Sequence, residues 1–396
     1  MEVRSKIKQF SLKAPLFFVV ICCFFIPLSS ALMNVSALLM LFFWIITGGF
    51  RTRIPLSFKT FIGVVAFLLF LLFSIAVYYS PVPLEESLAV LKKYRELFYI
   101  TMLIVLLHSR ASVARKAEIS FALGCTVLLG ISYAMYFSLI PTDKYGYSTL
   151  YHITHSFFMA FFGFWCLQKI MFRKRFLVVW AGFFIATVFN LFYIAPGRTG
   201  MLVFCALLIL ALFQHLSWKK SLSAVIAVAV LMTAVFFTSD NFSTRVKEAV
   251  SEVRNYHATS SRTSLGMRFD WWYNSIELIR TKPLLGYGTG SFAAVQGELI
   301  ENEHTRTKAS DNPHNEYLFI GVQTGLVGLA LFLLLLASLF VYSAKLPPEK
   351  RSLLQGVVTA IAVGCLMNSF LFDTHEGHFF AVISAVLCSF DSSSSA

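Results

Sequence analysis

Apolar runs separated by short polar connections recur from one end of the chain to the other. Each run approaches the ~20 residues that an α-helix needs to cross ~30 Å of hydrocarbon. The pattern predicts spans near 15–32, 35–50, 60–79, 89–108, 117–139, 151–170, 177–194, 200–213, 221–238, 316–343, 352–372 and 377–390, about twelve in all. One polar interval stands apart, the 75 residues from 239 to 313. A loop of that length is usually functional. Within it, Val246, Val250 and Val253 fall on one face of a helix over Ser243–Tyr256, placed to lie against the membrane or the bundle. A second helix is predicted from about Ser264 to Arg280, ended by Pro283 and the Gly286, Gly288 and Gly290 turn region.

These elements divide the chain into nine spans over 1–238, one large outer loop over 239–313, and three spans with a short tail over 314–396. The tail ends in the serines Ser392–Ser395, which read as a disordered end. The predicted fold class is an all-α polytopic membrane protein, its large periplasmic loop containing helices of its own.

Composition agrees. Of 396 residues, 57% are hydrophobic and only 13% are charged, half the usual share for a soluble domain, and 42 are phenylalanine. That balance excludes a secreted scaffold, an ordinary cytosolic enzyme and a nucleic-acid binder. All seven cysteines lie inside apolar runs, without metal-ligand or redox spacing, as small buried hydrophobes do.

The basic residues orient the molecule. One set of alternate connections carries nineteen of the 33 Lys and Arg, including Lys13, Arg115, Arg173, Lys219 and Lys350. The opposite connections carry five: Lys92, Lys93, Arg95, Lys144 and Arg198. The positive-inside rule makes the first set cytoplasmic, with both termini on that side. The remaining nine lie in 239–313 beside nine acids, so that segment is outside and is no polybasic tail.

Four features of the outer side carry candidate chemistry. Ala195-Pro196-Gly197-Arg198-Thr199-Gly200 is a tight break between two spans. Its arginine is either an interfacial anchor or a planar fork for phosphate oxygens. Arg268 shares a helical face with Trp272, as a cation on an aromatic ring or as a second phosphate fork. Gly286-x-Gly288-x-Gly290 follows no strand, so it reads as a turn packing over a site rather than a nucleotide loop. In Asn312-Pro-His-Asn-Glu-Tyr317, His314 is expected in the first turn of a helix behind Pro313, either as a hydrogen-bonding cap or as a base active near neutral pH. Gly321, Gly325 and Gly328 then favour close helix packing. Asp373 is the acid to watch near His314. The His152/His155 and His375/His378 pairs lack a completing acid or cysteine, so no metal site is expected.

Taken together, His314-Asn315, nine intervening residues and Gly325-x-x-Gly328 resemble the signature of O-antigen ligases, members of a membrane glycosyltransferase superfamily shared with O-antigen polymerases and protein O-oligosaccharyltransferases. Arg198 in Pro-Gly-Arg-Thr-Gly and the run from Arg268 to Phe292 resemble the superfamily's other recurrent segments. The resemblance implies a GT-C-like enzyme of the bacterial inner membrane, active on the periplasmic face. Its donor is O-antigen polysaccharide on undecaprenyl diphosphate, its acceptor is lipid A–core oligosaccharide, and it needs no cofactor. His314 would be the general base, with Arg198 and Arg268 clamping the donor diphosphate and Asn315, Tyr317, Asp373, Lys93 and Arg95 as secondary residues. Membrane lipids are the other expected partners. The alternatives are an O-antigen polymerase, a protein O-oligosaccharyltransferase and, from another class, a lipid-linked glycan flippase. A single large loop argues against a polymerase, and span interiors almost free of charge argue against a transporter.

Overall fold

A computed structural model of the chain describes residues 2–48, 50–173, 175–195, 197–256, 263–302 and 308–389, with the side chains of 2–12, 52–54 and 57 not described. The serines Ser392–Ser395, Pro196 and Lys174 lie outside the described residues, as do the side chains of Arg4, Lys6, Lys8 and Arg53.

The protein is all-helical, and no β-strand occurs among the described residues. The helices are α1 Glu2–Phe25, α2 Ser30–Ile46, α3 Phe50–Ser57, α4 Phe61–Ala76, α5 Leu84–Lys93, α6 Arg95–Leu106, α7 Ala111–Tyr136, α8 His152–Phe172 and α9 Leu177–Phe189. There follow α10 Arg198–His215, α11 Trp218–Thr238, α12 Asp240–Arg254, α13 Ser264–Thr281, α14 Phe292–Asn302, α15 Glu316–Ser343, α16 Pro348–Gly364 and α17 Thr374–Cys388. Among the described residues, five helical segments are long and apolar enough to cross a membrane: α7, Leu177–Ile194, α10, α11 and α15. Side-chain caps mark several helix starts. Thr60 Oγ1 accepts the Gly63 amide at 3.2 Å, Ser239 Oγ that of Phe242 at 3.1 Å and Thr263 Oγ1 that of Gly266 at 3.1 Å.

The core explains the phenylalanine content. Phe121, Phe157, Phe158, Phe161 and Phe379 are fully buried around one another, with ring centroids from 4.7 to 6.3 Å apart. Most of α8 and nearly all of α17 are buried, α17 taking the polar Glu376 and His378 in with its apolar residues. Around them α2, α9 and α11 expose large apolar residues such as Phe42, Ile185 and Phe237. An apolar surface that broad suits lipid rather than water.

Two predicted spans are shorter than the pattern implied, and one residue contacts both. The Glu316 carboxyl is fully buried; its Oε1 accepts the Tyr94 hydroxyl at 2.9 Å, and its Oε2 accepts the Leu371 and Phe372 amides at 2.9 and 3.3 Å. The 89–108 run accordingly breaks at Tyr94, which is drawn inward and stacks on Phe73 at 4.0 Å. The 352–372 run stops as helix at Gly364, and the turn beyond it gives its Leu371 and Phe372 amides to Glu316.

Two further expectations are corrected. His314 is not in the first turn of α15; it precedes the helix at φ +52°, in the left-handed region. The cause is a pair of asparagines: Asn312 Oδ1 accepts the His314 amide at 2.7 Å, and Asn315 Oδ1 caps the helix at the Leu318 amide, 3.1 Å away. Gly325 does more than allow close packing, since α15 is broken there at φ +67°, ψ −167°. The glycine-rich turn fills the break. Tyr287 and Gly288 amides donate to the Val322 and Gln323 carbonyls at 2.9 Å each, while the Leu326 and Val327 amides donate to Pro283 and Leu284 at 2.7 and 3.3 Å. The carbonyls and amides released by the kink are thus satisfied across it.

The two helices expected within 239–313 form, and a third, α14, joins them. α13 matches the prediction. α12 turns a polar face inward and leaves Val250 and Val253 exposed, at 44% and 53%.

Candidate functional site

A cavity of about 510 Å³ lies among the N-terminal ends of α8 and α10, α12 and α13. Its lining includes Arg198, Arg245, Arg268, His152, Tyr151 and Trp272. Sequence reasoning found two of its three arginines, and the structure brings these together although 70 positions separate them.

Arg198 is the first residue of α10, where the unpaired amides of a helix start already favour an anion. Its Nη2 donates to Glu248 Oε2 at 2.8 Å and Glu252 Oε1 at 3.0 Å, both on α12. Arg245 donates to the same Glu248 oxygen at 3.2 Å. One carboxylate therefore bridges two guanidiniums, the arrangement a phosphate oxygen would adopt. Glu252 also accepts the Leu265 amide at 2.7 Å, which ties α12 to the start of α13.

Arg268 does not stack on Trp272 among the described cation–ring pairs. The Trp272 indole N–H donates to the Pro313 carbonyl at 2.9 Å, and Trp271 donates to Lys308 at 2.8 Å, so the two tryptophans hold the segment leading to His314. Arg268 instead points across the cavity floor, its Nη2 3.4 Å from Asn368 Oδ1. Burial lowers its pKa, Tyr151 opposes that, and the neighbouring Arg198 adds to it. Arginine stays charged under such stress, and a half-buried, underpaired cation is a strong attractor for an anion.

Asn368, like Arg245, is a residue that sequence reasoning missed. It is 2% exposed and lies in the turn after α16. Its Nδ2 donates to Thr199 Oγ1 at 2.9 Å, next to Arg198, while its oxygen meets Arg268 and it also hydrogen-bonds His314. One side chain thus touches Arg268, the neighbour of Arg198 and the predicted base. Glu316 supports the arrangement by folding that turn against α15, and Ser369 donates to Asn312 Oδ1 at 2.7 Å from the same turn. A buried acid beside an otherwise apolar run was the available signal for Glu316. A lone asparagine at 368 offered none.

The His314 ring lies 5.5 Å from that of Trp271. Its pKa is lowered to about 4 by burial and by the Arg268 charge; Asp311 and the Asn368 hydrogen bond act in the opposite direction. His314 is therefore neutral at pH 7, with a lone pair free for a proton. His314 does not itself line the arginine cavity; it sits behind Trp272, and its positive φ is a strained placement often seen at functional sites.

The secondary residues fall into two groups. Asn315 caps α15 and donates from Nδ2 to the Leu366 carbonyl at 3.1 Å, and the Tyr317 hydroxyl donates to Ala362 at 2.8 Å. Both fasten α15 to the end of α16. Lys93, Arg95 and Asp373 do not line the arginine cavity. Lys93 sits 4.7 Å from the centre of the Phe372 ring and Arg95 binds Asn34. Burial raises the Asp373 pKa to about 6 against the pull of Lys93, and the acid whose charge reaches His314 is Asp311. His155 has both ring nitrogens engaged, with Ser148 and with Asn190. Among the described residues, no three His, Cys, Asp or Glu groups are placed to hold an ion.

Comparison with known proteins adds an independent line. Residues 183–333 match the family model described as O-antigen ligase, an interval that contains Arg198, Arg268 and His314. The chain is 28% identical to an uncharacterised protein of Haemophilus influenzae over 46% of this chain and 48% of that one. It is 26% identical to an O-antigen ligase of Escherichia coli K12 over 41% and 39%, and 27% identical to a ComP-specific O-oligosaccharyltransferase of Acinetobacter baylyi over 29% and 21%. The matched part thus spans about half, or less, of the length of these relatives.

Proposed function

Because residues 183–333 place this chain in the O-antigen ligase superfamily, we propose that it is an inverting membrane glycosyltransferase that joins O-antigen polysaccharide, carried on undecaprenyl diphosphate, to lipid A–core oligosaccharide. The single observation that carries this reading is the convergence of Arg198 and Arg268 on one cavity, with Asn368 contacting Arg268 and Thr199 between the cavity and His314. In the proposed topology about twelve helices span the inner membrane, 239–313 faces the periplasm and both termini are cytoplasmic. The site's position supports this: it lies at the His152 end of α8, while Lys169 and Arg173 pair with Glu349 at the other end. A helix of 21 residues rises ~30 Å, the thickness of the hydrocarbon layer.

The donor diphosphate would enter between the arginines and displace the Glu248 carboxylate that bridges two of them. An acceptor hydroxyl then attacks the anomeric carbon from the face opposite the diphosphate. The new C–O bond forms as the glycosyl–phosphate bond breaks, the electron pair leaves on the phosphate oxygen, and the hydroxyl proton passes to His314. The configuration inverts. Negative charge grows on the leaving group, so fixed guanidiniums stabilise the transition state more than the ground state. The bound diphosphate also offsets the Arg268 field at His314, which raises the basicity of the imidazole when a base is needed. Divalent metal is unnecessary because the arginines supply the positive charge.

The test is reconstitution of the purified protein with undecaprenyl-diphosphate-linked glycan and lipid A–core. The expected product is lipid A–core carrying the glycan. Donor chains that only lengthen on their own lipid would replace this reading with a polymerase.

A further inference from the structure

A second cavity, of about 330 Å³, opens beside the arginine cavity and shares Tyr151, His152 and Arg245 with it. Of its lining, only Arg245 also belongs to the proposed diphosphate clamp. Its other walls come from the α7–α8 connection, including Lys144, Tyr145 and Tyr147. Tyr147 and Tyr151 are exposed, at 36% and 50%, on a surface otherwise dominated by aliphatic and phenylalanine side chains.

This connection is held rigidly. Asp143 and Gly146 exchange backbone hydrogen bonds at 3.2 and 2.9 Å, a tight turn that Gly146 closes at φ +78°. Beneath it runs a buried polar chain. Ser148 Oγ takes the Leu150 amide at 3.0 Å and lies 2.8 Å from His155 Nδ1; His155 Nε2 is 2.9 Å from Asn190 Oδ1; and Asn190 Nδ2 donates to Ser132 at 2.8 Å. Asn190 opens the π-helical turn Asn190–Ile194, whose last residue lines the same cavity. Such π turns occur mostly as insertions in α-helices and frequently at functional sites. A fully satisfied buried polar network of this kind specifies one conformation. Here that conformation sets a cluster of tyrosines at the mouth of a cavity, Tyr147 edge-on to Tyr136 at 5.6 Å, Tyr145 edge-on to Tyr151 at 5.8 Å, and Lys144 over the Tyr145 ring at 4.8 Å.

We infer that this second cavity is a saccharide subsite, continuous with the arginine cavity and binding a sugar unit of the glycan that reaches it. Aromatic faces stack on the C–H face of a pyranose, and the tyrosine hydroxyls, Lys144 and Arg245 rim the cavity with hydrogen-bonding groups for its hydroxyls. A polyprenyl chain would not suit so polar a rim, and a second diphosphate would not need the rings. The sugar belongs either to the donor glycan or to the acceptor core. The inference builds on the proposed transferase reading, but binding can be read without transfer.

The experiment uses the full chain in nanodiscs and three probes: O-antigen oligosaccharide freed from its lipid, lipid-free core oligosaccharide, and undecaprenyl diphosphate with no sugar. In the double variant Tyr145→Ala/Tyr147→Ala, one of the two saccharides should bind about tenfold more weakly, the scale of losing stacked aromatic faces. The Tyr145→Phe/Tyr147→Phe pair, which keeps the rings, should stay within about threefold of the parent. Undecaprenyl diphosphate should bind all forms alike. The saccharide that is weakened identifies the subsite as the donor's or the acceptor's. If the alanine pair also loses undecaprenyl diphosphate, the single Tyr147→Ala, altered only at the surface, carries the comparison. Equal binding of both saccharides by parent and alanine variant, or binding of neither by the parent, overturns the subsite. Failure of the parent to bind undecaprenyl diphosphate counts against the arginine clamp instead.

Discussion

His314 and Arg268 are electrostatically coupled, and that coupling has a measurable sign. Arg268 helps to hold the imidazole near a pKa of about 4. Removing the cation in Arg268→Gln lets the pKa rise towards the ordinary value near 6.5. The acid limb of kcat/KM should therefore move to higher pH in that variant, on top of a lower maximum; an unmoved limb would separate the two residues. Arg198 tests geometry rather than charge. Lysine keeps the cation and loses the planar fork, so Arg198→Lys should cost about one to two decades in donor-dependent turnover, the scale of one charged hydrogen bond of ~1.5–3 kcal/mol. Full activity would make it an interfacial anchor. Both arginines and the histidine stood out in the sequence, because each sits in a short unusual motif among apolar residues, and the two arginines meet at one cavity. Asn368 did not, because its meaning comes from partners 169 and 100 positions away, and no local pattern encodes them.

Among elements, the broken helix α15 is the most informative. The spacing of Gly321, Gly325 and Gly328 read as a surface for helix packing, yet Gly325 is a backbone break that receives another segment. The distinction depends on a positive φ, which sequence periodicity does not reveal. A Cβ at Gly325 would run into the Leu284 carbonyl, whereas one at Gly297, within α14, would meet open space. Gly325→Ala should thus destabilise the protein by more than ~1 kcal/mol and lower its unfolding temperature in detergent. Gly297→Ala should leave it unchanged or raise it by the ~0.5–1 kcal/mol typical of glycine replacement within a helix. The same thermal melt checks both, and similar values for the two variants would show that the break at Gly325 is not required. Most predicted apolar runs are helical, while the short helices α3 and α14 were not foreseen, and some runs end early where Glu316 or an asparagine captures backbone groups.

At the scale of the whole molecule, an aromatic core separates two polar ends, and the distinctive residues gather at one of them. This one-sidedness was legible as a charge asymmetry between alternate connections. The outward Val250 and Val253 and the inward carboxylates of α12 were not, since an amphipathic pattern does not say which face meets the bundle. An arginine-filled cavity also predicts how the reaction responds to chelation. Ligation by purified protein should continue in excess EDTA without nucleotide, because the positive charge is fixed in the chain and the energy is stored in the glycosyl–diphosphate bond. Loss of activity in chelator, restored by Mg²⁺ or Mn²⁺, would show that arginines alone do not suffice.

The central claim is that a neutral His314 takes the acceptor's proton beside an arginine-held diphosphate. Its most direct test is the rate of transfer from undecaprenyl-diphosphate-linked glycan to lipid A–core in liposomes, comparing the parent with His314→Ala at equal folded protein. A positioned base typically contributes about 10²–10⁴-fold, so the variant should lose at least about two decades in rate while still binding undecaprenyl diphosphate. A variant that transfers at a rate near the parent's would contradict the account.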